Sequence, residues 1–150
     1  MLRRSRTDGD RPHRVLVVDD DPDACELTVR ILEREGYETA RAHSHDEAVD
    51  ALSGGRRFDA VLVDFASGGP SESIQLLDEI RRSPSLDDVA VIISSRVDKN
   101  RLFAWESGVD GFLVRPYHVD ELTAEVAAVL ARTTEERAAH RAARLAEASA

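Results

Sequence analysis

Three consecutive carboxylates, Asp19, Asp20 and Asp21, follow directly on the apolar run VLVV (15–18), and another, Asp64, ends the run AVLV (60–63). Ser94 and Ser95 follow VAVII (89–93), and Arg115 follows GFLV (111–114). If these runs lie side by side, Asp19, Asp20 and Asp64 meet a hydroxyl and a guanidinium on one rim. Carboxylates held that closely raise one another's pKa and cost stability until a cation neutralises them. Hard oxygen donors around a small site suit Mg2+. Each residue has an ordinary use as well, Asp as a helix cap and Ser as a strand terminator. Four strand ends agreeing in one chemistry is what points to a site.

The elements that must position these residues follow from periodicity. The run 15–18 reads as a buried strand. Asp21 and Pro22 read as N-cap and first residue of a helix ending at Gly36. A short strand covers about residues 37–42. Ser44 and Glu47 have capping-box spacing, opening a helix that Gly54 and Gly55 close. AVLVDF (60–65) is the next buried strand. Ile74, Leu76, Leu77 and Ile80 give helical spacing up to about Ser83. VAVII is followed by a helix from Asp98 to Ser107, GFLV by a helix whose stripe is Val119, Leu122, Val126 and Val129. Five strands thus alternate with five helices. Strands that are apolar throughout need cover on both faces, which right-handed βα crossovers onto a parallel sheet supply. The expected fold is a doubly wound α/β sandwich with its crevice beyond the carboxyl ends of the strands.

Composition sets the outer limits. A chain of 150 residues, 42% hydrophobic, can bury one core and forms one domain. One cysteine, Cys25, allows neither an intramolecular disulfide nor a cysteine metal cluster. No apolar run reaches the ~18–20 residues of a membrane span, and MLRRSRTDGDRPHR lacks a signal-peptide core, so the expected location is the cytoplasm. Residues 1–14 carry +3 and residues 132–150 carry +1, so the total of −9 leaves −13 on residues 15–131. Such a body repels phosphate backbones, which argues against a nucleic-acid partner.

VLVVDDDPDA, FDAVLVDF, VAVIISSR and above all GVDGFLVRPY resemble the receiver domain of bacterial two-component response regulators, over about residues 14–131. The resemblance implies a flavodoxin-like sheet of strand order 2-1-3-4-5. It implies Asp64 as phosphoacceptor, Asp20 as a direct Mg2+ ligand, Asp19 as a ligand through water, and the backbone carbonyl of Ala66 as a further ligand to the metal that Asp64 also touches. Ser95, or Ser94, and Arg115 would bind the phosphoryl group, and Phe112 would be the switch aromatic. The implied partners are a sensor histidine kinase or phosphotransfer protein and a downstream protein. The latter, or a second copy forming a homodimer, would use the face built by the fourth helix, fifth strand and fifth helix.

This chain also departs from that pattern. Arg115 stands where the family has lysine, exchanging a compact ammonium for a longer planar fork. The loop FASGGPSES (65–73) lacks the family's Met-Pro and Asp-Gly signals, and it carries the metal-ligand carbonyl. Strand register favours Ser95 as the hydroxyl, whereas the residues that follow favour Ser94. Phe112 has no hydroxyl to donate.

The remaining features read plainly. His43 and His45 belong to a capping loop. Trp105, with Leu102 and Phe103, is open between core and interface. Residues 1–13 read as a disordered basic tail. Beyond Arg132 the chain is too short for an output domain. Thr133 to Glu136 offer a new cap, and Ala138, Ala142 and Leu145 a thin stripe, either of a frayed solvent helix or of a docking or dimerising extension. Two rival functions keep part of this pattern. A phosphorylation-independent pseudo-receiver keeps the fold without the chemistry. A haloacid-dehalogenase-type phosphatase would use Asp19 and Asp21, but it needs a later lysine, for which Lys99 is the sole source, and a second acidic pair, and it leaves Asp64 unexplained.

Overall fold

The computed structural model describes residues 11–65, 70–96 and 100–149. The elements are β1 (Arg14–Asp19), α1 (Pro22–Arg34), β2 (Glu38–Ala42), α2 (His45–Ser53), β3 (Ala60–Asp64), α3 (Pro70–Arg81), β4 (Ala90–Ser95), α4 (Asn100–Ser107), β5 (Gly111–Val114), α5 (Val119–Ala131) and α6 (Thr134–Ser149), with a short 3-10 turn at Pro84–Leu86. All pairings are parallel and the strand order is β2-β1-β3-β4-β5. The doubly wound sandwich with order 2-1-3-4-5 is therefore the fold.

Local signals account for the helix starts. The Asp21 side chain accepts from the N–H groups of Asp23 and Ala24, and Pro22 occupies the first turn where no N–H is needed. The Ser44 hydroxyl accepts from Glu47 N–H, while the Glu47 carboxylate closes on the N–H of His43 rather than of Ser44. The second glycine of GVDG also has a packing reason. A Cβ on Gly111 would lie 2.8 Å from Glu125 Oε2 and 2.9 Å from a Val129 methyl, so only glycine lets β5 close against α5.

Strand alternation divides the core. Val15, Val17, Ala60, Leu62, Ala90, Ile92 and Leu113 face α1 and α5, meeting Val29, Leu32, Leu122 and Val126. Leu16, Val18, Val61, Val63, Val91, Ile93 and Phe112 face the other layer, meeting Leu52, Leu76, Leu77, Ile80 and Trp105. Each such side chain, fully buried, contributes ~1.5–3 kcal/mol. The period-2 rule then assigns the strand ends: Asp19, Asp64, Ser94 and Arg115 continue the α1/α5 side, and Ser95 and Phe112 the opposite one.

The segment after α5 corrects the reading of a frayed solvent helix. Thr133 caps α6 in a complete box, its hydroxyl accepting from Glu136 N–H at 3.0 Å and its N–H donating to Glu136 at 2.8 Å. Arg137 is only 8% exposed, and Leu145 packs on the α2-α3-α4 core. Trp105 is likewise a buried residue, packed edge-on against His140 of α6 at 5.6 Å, whereas Leu102 and Phe103 are exposed. The basic tail at residues 1–10 lies outside the described residues; within 11–13, the carbonyl of His13 accepts from Glu38 N–H.

Candidate functional site

β1 and β3 end level with one another, Asp19 opposite Asp64, and the β3–β4 register, Val63 opposite Ile93, brings Ser94 alongside Asp64. The Ser94 hydroxyl donates to Asp64 Oδ2 at 3.3 Å, and the Arg115 guanidinium lies 2.9 Å from the same oxygen. Arg115 N–H donates to the Ser95 carbonyl at 2.8 Å, tying the end of β5 to the end of β4. Sequence register favoured Ser95 for the hydroxyl; the structure brings Ser94 to the acid, because strand alternation turns Ser95 to the other face. Phe112 is not brought to Asp64 for the same reason. It lies in the α2-α3-α4 core with the Arg101 guanidinium 5.3 Å from its ring centre.

Asp19 is 2% exposed and Asp64 7%. Burial pushes the Asp19 carboxyl up to about 6, against the Asp21 N–H that it accepts at 2.9 Å and with the push of Asp64 and Asp20. Burial also raises Asp64, opposed first by Arg115 and then by the Ser94 hydrogen bond, while Asp20 adds to the rise. Asp20 is half-buried, with one carboxylate oxygen enclosed. Asp21 stays exposed and serves as the helix cap. His43 joins the rim through its ring, Nδ1 lying 3.0 Å from the Asp19 carbonyl, whereas His45, the first residue of α2, pairs with Glu79 of α3 at 2.9 Å.

The donor set has the chemistry of a hard divalent cation site: carboxylates that burial raises in pKa, Asp19 and Asp64, with their mutual repulsion adding a smaller push. Among the described residues no three acidic, imidazole or thiol groups stand in a ligating arrangement, and Asp64 instead faces Arg115. The carbonyl of Ala66 lies outside the described residues.

Two residues that the sequence did not single out complete the rim. The Tyr117 ring lies 5.8 Å from the Arg115 guanidinium, and burial raises its hydroxyl while the charge of Arg115 opposes the rise. Arg96 acts on Asp64 at longer range. Both border a groove of about 630 Å³ between α1 and α5, lined also by Leu27, Ile31, Arg115 and Val119. The aromatic after Pro116 was the available signal for Tyr117.

The family model of the response regulator receiver domain matches residues 15–127. The chain belongs to this family. It is 29% identical over 121 residues to the phosphate regulon transcriptional regulatory protein PhoB of Escherichia coli, covering 79% of this chain and 52% of that protein. Response regulator MprA of Mycobacterium bovis is 31% identical over 128 residues, with 84% and 54% covered. The chain thus spans about half the length of the curated relatives it matches. Among solved structures, a response regulator of Chloroflexus aurantiacus superposes with a TM-score of 0.72 at 29% identity, covering 81% of this chain and 99% of that one. Response regulator TrrA of Thermotoga maritima, in complex with Mg2+ and BeF, gives 0.66 at 30% identity, covering 78% and 98%. The receiver match sets the haloacid-dehalogenase reading aside. No described helix is long and apolar enough to cross a membrane.

Proposed function

We propose that this receiver accepts a phosphoryl group on Asp64 from a phosphohistidine of a sensor kinase or phosphotransfer protein, in the cytoplasm, and signals through protein contacts. The observation that carries this reading is Asp64 itself, a buried carboxylate at a strand end held on one oxygen by Ser94 and Arg115. Mg2+ would be held by Asp19, Asp20, Asp64 and the carbonyl of Ala66, and when bound it neutralises charge on the phosphoryl oxygens. A carboxylate oxygen of Asp64 forms the new bond to phosphorus as the bond to the histidine nitrogen breaks, and that nitrogen keeps the electron pair. Burial favours attack, because a poorly solvated carboxylate is the better nucleophile. Ser94 and Arg115, already on Asp64, transfer their donors to the arriving phosphoryl oxygens, where charge-assisted bonds are strong. The groove beside Arg96 and Arg115 is open to the donor protein. No small-molecule turnover follows from this scheme.

One observation favours the pseudo-receiver as second reading: Arg115 already neutralises Asp64, as a resident cation would in a site that needs no metal. Intact-mass measurement after incubation with acetyl phosphate and Mg2+ decides. The expected result is a gain of one phosphoryl group, absent in Asp64→Asn; unchanged mass in the natural chain leaves the pseudo-receiver.

A further inference from the structure

α6 bonds to three successive parts of the receiver. His140 packs on Trp105 of α4. Arg141 donates to the carbonyls of Gly108 and Val109, in the turn between α4 and β5, each at 3.3 Å. It also donates to Asp110 Oδ1, just before β5, at 2.9 Å. One helix therefore ties α4 to β5.

The buried Asp110 divides its oxygens between two tasks. Oδ2 belongs to the body of the domain, accepting from Val91 N–H at 2.9 Å and from Arg81 at 2.5 Å. Oδ1 faces α6, with Arg141 at 2.9 Å and Arg137 at 3.7 Å. If α6 leaves, the carboxylate keeps Arg81 and the Val91 N–H, so no buried charge is abandoned. The arginines that depart exchange their partners for water. Arg137 takes its other bonds from the carbonyls of Arg132 and Asp88 and the hydroxyl of Thr134, all groups that water reaches once α6 lifts. The polar part of the contact can separate without stranding a buried charge.

The elements it ties also lead to the phosphoacceptor. Arg101, in the first turn of α4, stacks on Phe112 of β5, and β5 runs on to Arg115 on Asp64. We propose that α6 is a detachable brace across α4 and β5, released when Asp64 is phosphorylated, uncovering the Trp105 face of α4. The proposal rests on the phosphoacceptor reading above. Its physical basis is linkage: α6 is bonded to the unmodified arrangement of α4 and β5, so a modification that moves Arg115, β5 and α4 out of that arrangement disfavours the helix, and loss of the helix in turn favours the modified state.

Trp105 is the chain's single tryptophan, so the fluorescence comes from this one position, and exchange at α6 tells release of the helix from a change within the core. In the full chain, acrylamide quenching of Trp105 and hydrogen exchange of α6 and β4 amides are measured before and after treatment with acetyl phosphate and Mg2+, with the phosphorylated fraction read by intact mass. The expected result is a severalfold rise in quenching and loss of α6 protection on phosphorylation, while β4 amides stay protected. Arg141→Glu, which sets like charge against Asp110, is expected to expose Trp105 without phosphate and to reach a higher phosphorylated fraction; Arg141→Lys is expected to restore shielding. Should Arg141→Glu lose β4 protection, Leu145→Asp supplies the releasing variant from the far end of the helix. A chain that gains the phosphoryl mass yet keeps Trp105 shielded and α6 protected overturns the brace. A chain that gains no mass overturns the phosphoacceptor reading, and the gating with it.

Discussion

The two ends of the sheet use the same pair of residue types in opposite proportion. At the carboxyl ends three carboxylates, Asp19, Asp20 and Asp64, stand with one arginine in contact, Arg115 on Asp64, and Arg96 farther out. At the amino ends, the buried Asp110 has Arg81, Arg137 and Arg141. The first site is short of positive charge, and burial raises the pKa of Asp19 and Asp64, with carboxylate repulsion adding to it. The second has charge to spare, and Arg81 is lowered by burial and by its two α6 neighbours while Asp110 pulls it back. A pocket short of charge is poised to take a cation or a charge-neutralising reaction. A pocket with surplus arginines is complete in itself, and its surplus reaches outward to hold another element.

The contrast makes Asp110 the residue with the largest expected effect. Asp110→Ala leaves a buried Arg81 and the α6 arginines without their carboxylate, and urea unfolding should show a loss of ~3–5 kcal/mol. A loss below 1 kcal/mol, taken as a rough threshold for surface positions, would make the base an ordinary surface pair.

Neutralising a carboxylate at the other end should do the opposite. Asp19 holds its proton up to about pH 6 in the folded chain against 3.8 for the free group. The folded state therefore binds the proton more tightly, and the stabilisation from protonation is full below pH 3.8 and lost as pH rises through about 6. Asp19→Asn should accordingly raise stability at pH 7 by ~1–3 kcal/mol, the range that a pKa displacement of this size allows. In the natural chain, stability followed from pH 7 downward should climb through this window, and the variant should climb less, keeping only the part that the likewise raised Asp64 contributes. A variant no more stable than the natural chain would show that the buried Asp19 charge carries no such cost.

The smallest expected effect is that of the metal. Mg2+ at ten times its dissociation constant should stabilise the fold by ~1.4 kcal/mol, seen as a rise in Tm, and Asp20→Asn should lose most of that rise. Asp110→Ala should keep the rise, since the base offers Mg2+ nothing. Equal rises in the Asp20 and Asp110 variants would mean that the cation binds elsewhere.

Much of the fold was legible because it rests on local order. Apolar runs, the Asp21 and Ser44 caps and the glycines of GVDG act within a few residues of themselves, so their patterns read directly as the alternating elements observed. Asp19, Asp64 and Arg115 could be placed at strand ends for the same reason. The Thr133 cap was equally visible, and α6 does begin there. Which groups touch is another matter, because it depends on pairing register and on helices meeting across the core. Ser94 rather than Ser95 reaches Asp64 because Val63 pairs with Ile93, and no local pattern contains that offset. Phe112 and Tyr117 lie close together in sequence, yet alternation along β5 sends the first into the α4 layer and the turn after Pro116 brings the second to Arg115. Asp110 looked like one more acidic residue in an acidic body. Only the folded chain brings it Arg81 from 29 residues away and Arg141 from 31, and packs a stretch whose sequence left a solvent helix and a docking extension both open. Local sequence determines which elements form and where each begins; the partners of a buried charge are decided by the packing that takes it out of water.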